Sequence, residues 1–333
     1  MKSGFFQGQT PEKARARLLI SLIALGAVLL LIVCGVAAML LIKDNDGGDE
    51  SSQPIPAGSV ITEDRPAGYI SVADCGASPS DGKDDTEAFR QAAASGQGLF
   101  IPAGEYQLSG TVELNGQDIV GEGMTAVFIR GTSGEALFRL RGNCRLLEMS
   151  LSYTDGTAGR GEKTAVRIAS GEGGALSPSV KNVQFDQIGT AVFVESGITN
   201  GVRLEDLTIR HFGYAGVVFD GSGHRGAILR SVFAEKALDG VCYGVEMQGD
   251  EGTLLEQVTL SECRVKQGVR FDGSAGFSVK TIQFLNVQAD ALMGGDRAAG
   301  RIGSVFVRTS EGNMLGFTNS RGGEIKPEYT VVR

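Results

Sequence analysis

The sequence predicts an all-β fold: a single-stranded parallel β-helix, or solenoid, with a short N-terminal cap helix, preceded by one transmembrane helix. Three observations carry this reading. A four-residue pattern (small residue, valine, any residue, apolar residue) recurs at nearly even spacing between residues 165 and 271, with no helical periodicity between its copies. The chain has 49 glycines and no tryptophan, which suits many short strands joined by tight turns. Ahead of all this, residues 18–42 form an apolar run with no charged residue.

Residues 1–17 carry Lys2, Lys13, Arg15 and Arg17 against one Glu12, and Lys43 after the run is outnumbered by Asp44, Asp46, Asp49 and Glu50. A helix needs roughly 20 apolar residues to cross a bilayer core. The positive-inside rule then makes 1–17 a cytoplasmic tail and 18–42 the membrane span, in contact with lipid, and puts the rest outside. A cleaved signal peptide has an apolar core of about 7–15 residues, so this run is too long for one. Cys34 follows Val33, where a lipid-modified cysteine calls for a small residue.

The 333-residue chain has a net charge of −8, and its cytoplasmic tail contributes +3, which leaves −11 outside. That balance excludes nucleic acid as a partner, because its recognition needs a basic surface. Cys75, Cys144, Cys242 and Cys263 show no CxxC spacing, and His211 and His224 are the only histidines, so no zinc site is predicted. One or two disulfides and buried free thiols both stay open.

Residues 43–66, rich in Asp, Gly, Ser and Pro, read as a flexible stalk, and 67–333 as the extracytoplasmic domain. Asp84, with Glu87 three residues on, reads as a capping-box-like helix start. Ala88, Phe89, Ala92 and Ala93 then make one apolar face, and Gly96 is the expected stop. Strand-like stretches follow at 99–102, 106–114 and 119–120.

The repeat then begins at Ala165, Ala191, Gly216, Gly244 and Gly268, with spacings of 26, 25, 28 and 24 residues, and looser copies start at Leu137 and Ser304. A second strand pattern lies between the copies. A unit of about 25 residues cannot bury its own apolar face, but stacked units can. About seven coils are expected, each about 4.8 Å above the last.

Several segments of the domain's first part now carry a resemblance. They are Val72-Ala73-Asp74-Cys75-Gly76-Ala77, the run from Asp81 through Asp84-Asp85-Thr86 to Phe89, Phe100-Ile101-Pro102-Ala103-Gly104-Glu105-Tyr106, and Gly121-Glu122-Gly123. Together they resemble the N-terminal cap of the pectate-lyase-like superfamily, in the branch with rhamnogalacturonase, epimerase and phage-tailspike-like members. The resemblance implies a right-handed β-helix that handles polysaccharide, often an acidic, uronate-containing one, as lyase, hydrolase or epimerase. It supplies no catalytic motif. In the polygalacturonase-type register the paired aspartates fall at Gly189-Thr190 and the histidine at Ala215. The Arg-x-Lys position reads Arg270-Phe271-Asp272. Arg264-Val265-Lys266 and His224 are out of register.

Two columns remain as candidates. Outward positions on the repeated strand stack Arg139, Arg167, Phe193, Val218, Glu246 and Arg270, with Phe306 continuing the series; of these Arg139, Arg167, Phe193 and Glu246 are the candidate substrate-binding residues, and Arg270 joins Glu195, Asp220 and Asp272 as a candidate catalytic residue. Two residues on, Arg141, Ala169, Glu195, Asp220, Gln248 and Asp272 stack, with Arg308 as continuation. Glu195 and Asp220 on adjacent rungs suit the carboxylate spacing of a retaining glycosidase, about 5 Å. Asp-Gly-Ser at 220–222 and 272–274 is also ordinary turn chemistry. The resemblance to lyases makes Arg270, between Asp220 and Asp272, a candidate base. The arginines also suit uronate carboxylates. No cofactor is predicted: a Ca²⁺ site built on Asp220 and Asp272 has too few ligands to be expected. A third polar column, Gln187, His211, Glu262 and Asn286, is expected at a turn. A non-catalytic glycan-binding or envelope-scaffold module on the same fold is the alternative to an enzyme.

Overall fold

The computed structural model describes residues 65–170, 177–238, 243–318, 324–325 and 330–332, with side chains as far as residue 311. The run 18–42, the tail and the stalk through residue 64 lie outside the described residues, as does Cys242. Among the described residues no helix is long and apolar enough to cross a membrane.

The strands form three parallel sheets that the chain visits in turn. The first starts at Tyr69–Ser71, pairs with Gly98–Ile101 and Ile119–Gly121, and continues through 145–147, 179–181 and 203–205. The second starts at Gly104–Leu108 and Val127–Gly131 and continues through 150–153, 183–186 and 207–210. The third runs from Val112–Asn115 through Ala136–Arg141 and Thr164–Ile168 to 190–194, 215–219 and Tyr243–Gln248. It ends through 267–272, 291–295 and 313–317.

The solenoid therefore has about 9 turns rather than seven. The three missed rungs begin at Val112, Ala291 and Asn313; Thr111-Val112-Glu113-Leu114 fits the pattern only with threonine as the small residue, and the pattern is absent at the other two. The copy at Ser304 belongs to the second sheet instead, because Phe306 pairs with Gln283 and Arg308 with Leu285. Phe306 and Arg308 thus leave the two candidate columns.

The small residue of the repeat has a steric cause. A Cβ on Gly244 would lie 2.0 Å from Leu260 Cδ2 and 2.7 Å from the Gly268 carbonyl of the next rung. Core side chains fill the space inside the three sheets. Phe185 of the second sheet and Phe138 and Phe219 of the third are fully buried.

The predicted polar column forms one corner. Gln187, His211, Glu262 and Asn286, joined by Lys236 and Thr309, all have left-handed backbone with φ between 48° and 55°. One left-handed residue turns the strand, and a polar side chain there points away from the core. His211 Nδ1 lies 2.6 Å from Asp186 Oδ1 on the preceding residue's side of the rung below. Glu148, Asn182, Asp206 and Ser231 make the equivalent corner between the first and second sheets.

The helix spans Thr86–Ala94, with Phe89 buried. Its capping differs from the expected box. Asp84 accepts the Thr86 amide at 3.0 Å, the Thr86 hydroxyl at 2.5 Å and the Ser109 hydroxyl at 2.5 Å. Partial burial works against ionisation of Asp84, but these bonds outweigh it and hold its pKa down to about 2. Asp85 is buried and accepts the Ser78 and Gln107 amides, at 2.9 and 3.2 Å. Asp84→Ala should therefore lower thermal stability by about 1 kcal/mol, the usual cost of a lost cap. Because the folded-state pKa of Asp84 is depressed, that contribution is present above pH 3.8 and fades as pH falls toward 2. A wild-type-minus-variant difference that does not shrink on acidification would count against this.

Between the third and first sheets lies a buried polar column. Thr199 pairs with His224, and bridges from Arg225 to Glu251 to Ala275 stack His224, Asp250 and Ser274 on successive rungs. His224 Nε2 donates to the Asp220 carbonyl at 3.0 Å, so its Nδ1 accepts the Thr199 hydroxyl at 2.9 Å. Burial lowers the His224 pKa. His224 is therefore a neutral packing residue, consistent with its place outside the polygalacturonase-type register. Cys75, Cys144 and Cys263 are free, and burial pushes the Cys263 thiol up to about 11.

Candidate functional site

The outer face of the third sheet carries the predicted columns. Its register runs from Glu113 to Arg139, Arg167, Phe193, Val218, Glu246 and Arg270, then to Gly294. Two residues on, Asn115 pairs with Arg141 and Gln248 with Asp272, while Ala169, Glu195 and Asp220 extend the strand ladder through their amides.

Glu195 and Asp220 stand on adjacent rungs but are drawn to different partners. Arg139 Nη2 donates to both Glu195 oxygens at 2.9 Å, and Arg167 Nη1 lies 3.5 Å from Glu195. Arg167 also reaches Glu135 at 2.7 Å and donates to the Gly161 carbonyl at 2.7 Å. The Nε atoms of Arg139 and Arg167 are buried without a hydrogen-bond partner. Arg141 Nε donates to Glu113 at 3.0 Å.

The second cluster centres on Glu246, which is 1% exposed. Arg160 Nη1 donates to Glu246 at 2.5 Å and Arg160 Nη2 to Asp220 at 2.5 Å, so one guanidinium bridges the two carboxylates. Glu246 also accepts Gln248 Nε2 at 2.8 Å and the Tyr214 hydroxyl at 3.3 Å, and lies 3.5 Å from Arg270. Arg270 pairs with Asp272 and donates to the Tyr243 hydroxyl at 2.5 Å. Burial works to lower the Arg270 pKa, but Asp272, Tyr243 and Glu246 outweigh it and raise it. The aromatics are sandwiched into this network. The Arg167 guanidinium lies 5.0 Å from the Phe193 ring centroid, and that of Arg270 lies 5.2 Å from Tyr243's. Asp220 and Asp272 stand two rungs apart, each on its own arginine. No cluster of three His, Cys, Asp or Glu able to hold a metal occurs among the described residues.

Arg160, Tyr214 and Tyr243 escaped the sequence reading. Tyr214 and Tyr243 sit ahead of the repeat's small residue, on positions that the four-residue pattern does not cover. Arg160 comes from the loop at 154–163, which docks where glycines leave no side chain. A Cβ on Gly213 would lie 2.1 Å from the Gly156 carbonyl, and one on Gly189 would lie 2.2 Å from the Glu162 carbonyl. Spacing gave no signal of it, because the rungs at 136 and 164 are offset by 28 residues, as are those at 215 and 243. Gly213→Ala should push this loop off the corner, cost about 1–3 kcal/mol as overpacking does, and break the Arg160 bridge. Wild-type hydrogen-exchange protection over 154–163 in that variant would contradict this packing.

No curated protein matches the sequence. The gp42 tailspike of Acinetobacter phage vb_AbaP_AS12 is similar in fold, with TM-score 0.60 and 12% identity, over 74% of this chain and 46% of that one. The tailspike protein 2 of Escherichia coli O157:H7 bacteriophage CAB120 is similar with TM-score 0.51 and 12% identity, over 80% of this chain and 42% of that one. The chain thus spans less than half of either tailspike. The bacteriophage Phi29 gene product 12 N-terminal fragment has TM-score 0.50 and 13% identity, over 79% and 59% of the two chains. These likenesses show the β-helix fold. Residues 69–289 match the family described as rhamnogalacturonase A/epimerase, pectate lyase-like, and with about two thirds of its length matched the chain belongs to that family.

Proposed function

We propose that the outer face of the third sheet is a polysaccharide-handling face, displayed outside a membrane by residues 18–42. One observation carries it: Arg139, Arg167 and Arg270 align on one register column as its partly exposed members, with Phe193 and Glu246 buried between them, in a family named for rhamnogalacturonase and epimerase. Five rung steps from Arg139 to Arg270 make a strip about 24 Å long, a shape suited to a linear polymer.

The pairing favours binding over turnover. A general acid has to reach the leaving oxygen, whereas Glu246 is covered by Arg160, Tyr214 and Arg270. A lyase base has to lose its proton, whereas the neighbours of Arg270 raise its pKa. Hydrolysis by Asp220 and Glu246, brought together on one guanidinium, is the second reading; it requires Arg160 to move away so that one of the two can hold a proton. Uronate, the class that the family resemblance implies, would need a guanidinium free to meet its carboxylate.

The test uses the full-length chain in detergent with a panel of polysaccharides, with and without Ca²⁺. Retention on a glycan is measured together with new reducing ends and unsaturated-product absorbance. Retention without product is expected. Product would make the protein an enzyme and Glu246 the first residue to substitute. The absence of both retention and product would overturn the proposal. Alkaline extraction and protease accessibility of intact cells test the anchor: residues 43–333 should be digested from outside.

A further inference from the structure

We infer that this face takes a neutral glycan, one bearing hydroxyls and no carboxylates; the inference rests on the polysaccharide reading above. Five arginines lie on the two stacked columns and the loop that docks on them, Arg139, Arg141, Arg160, Arg167 and Arg270, and every one of these already holds a carboxylate; Arg264 and Lys266 are exposed nearer the corner, off both columns. A uronate binds best to an open guanidinium fork. Here the forks are closed from within, and the buried Nε atoms of Arg139 and Arg167 are out of a ligand's reach. Prising one fork open would strand the carboxylate beneath it, most severely Glu246.

The charge balance points the same way. Six acids face the five arginines: Glu113, Glu135, Glu195, Asp220, Glu246 and Asp272. Residues 67–333 as a whole carry −7. The argument that excludes nucleic acid therefore applies equally to a polyuronate.

A sugar hydroxyl both donates and accepts, so a guanidinium–carboxylate pair meets two neighbouring hydroxyls with a donor and an acceptor side by side. The pairs are accessible enough to do so: the side chains of Arg160 and Asp220 are 34% and 35% exposed, and those of Arg139 and Glu195 are 30% and 20% exposed. A ligand carboxylate, which only accepts, would be matched by the arginines and opposed by the acids.

Matched oligosaccharides separate the classes: galacturonan, mannuronan and glucuronan oligomers, each beside its carboxyl-reduced neutral twin of the same linkage. With the full-length chain, the neutral member of at least one pair should bind about tenfold tighter than its acidic twin. Its affinity should change less than about twofold when salt is raised from about 0.05 to 0.5 M. Glu195→Gln, which keeps the side chain's shape and releases Arg139 and Arg167 from a counter-ion, should move the ratio toward the acidic twin. Equal or tighter binding of the acidic members by the wild type, weakened by salt, would overturn this inference and leave the polysaccharide reading standing. Binding of no member of any pair would overturn both.

Discussion

Asp250→Asn is expected to raise the stability of the domain at pH 8 by about 4 kcal/mol at most, and to flatten its pH dependence. Asp250 is 0% exposed, and neither carboxylate oxygen has a hydrogen-bond partner; the Thr253 and Glu251 amides lie near enough to ease its charge only slightly. Burial pushes its pKa from 3.8 up to about 7. A shift of about three units is worth about 4 kcal/mol, at 1.36 kcal/mol per unit. The folded state binds the extra proton, so the Asp250 contribution to stability is full below pH 3.8, falls as pH rises toward 7, and levels off above it. An asparagine carries no charge to desolvate, although its buried amide trims the gain. Urea midpoints at pH 4.5 and pH 8 decide the matter: the wild type should fall between them and the variant should hardly move. Parallel profiles would mean that Asp250 is solvated or paired after all.

Glu246→Ala is expected to have the opposite sign and similar size, a loss of about 3–5 kcal/mol, the cost of breaking a buried ion pair from one side. The alanine would leave Arg160 and Arg270 facing each other across the gap, without the carboxylate that separates them. It would also strand Gln248 Nε2. A double-mutant cycle with Arg160→Met isolates the pair, and the double variant should recover part of the loss. Chemical denaturation of the four proteins provides the readout. A loss below about 1 kcal/mol for Glu246→Ala would place this pair with ordinary surface ion pairs.

The strip was largely legible in the sequence because a coil of near-constant length turns linear spacing into stacking. Copies starting 24 to 28 residues apart gave the order Arg139, Arg167, Phe193, Val218, Glu246, Arg270 that the pairing register reproduces. The same regularity misled at Ser304. Its local pattern fits a third-sheet strand, but the true next rung is the unpatterned Ala291-Leu292-Met293. What spacing cannot show is which side chains reach along the rod. Glu195 turns to Arg139, two rungs away, and not to Asp220 beside it. Arg160 is invisible to any period because it enters from an insertion. The burial of Glu246 follows from that insertion, so a position read as an outward charge proved to be a covered one.

The reach of these side chains also bears on mechanical strength. A rod of stacked coils can fray one coil at a time from either end. The Glu195 carboxylate clasps coils one and two steps behind it, and Arg160 ties its own loop to the rungs of Asp220 and Glu246. Arg270 adds the next coil by reaching back to Tyr243 and Glu246. Peeling that starts at a terminus therefore meets a laced segment between residues 136 and 272, where several coils must give way together. A tug on this face is borne by the stretch of the rod least able to unwind.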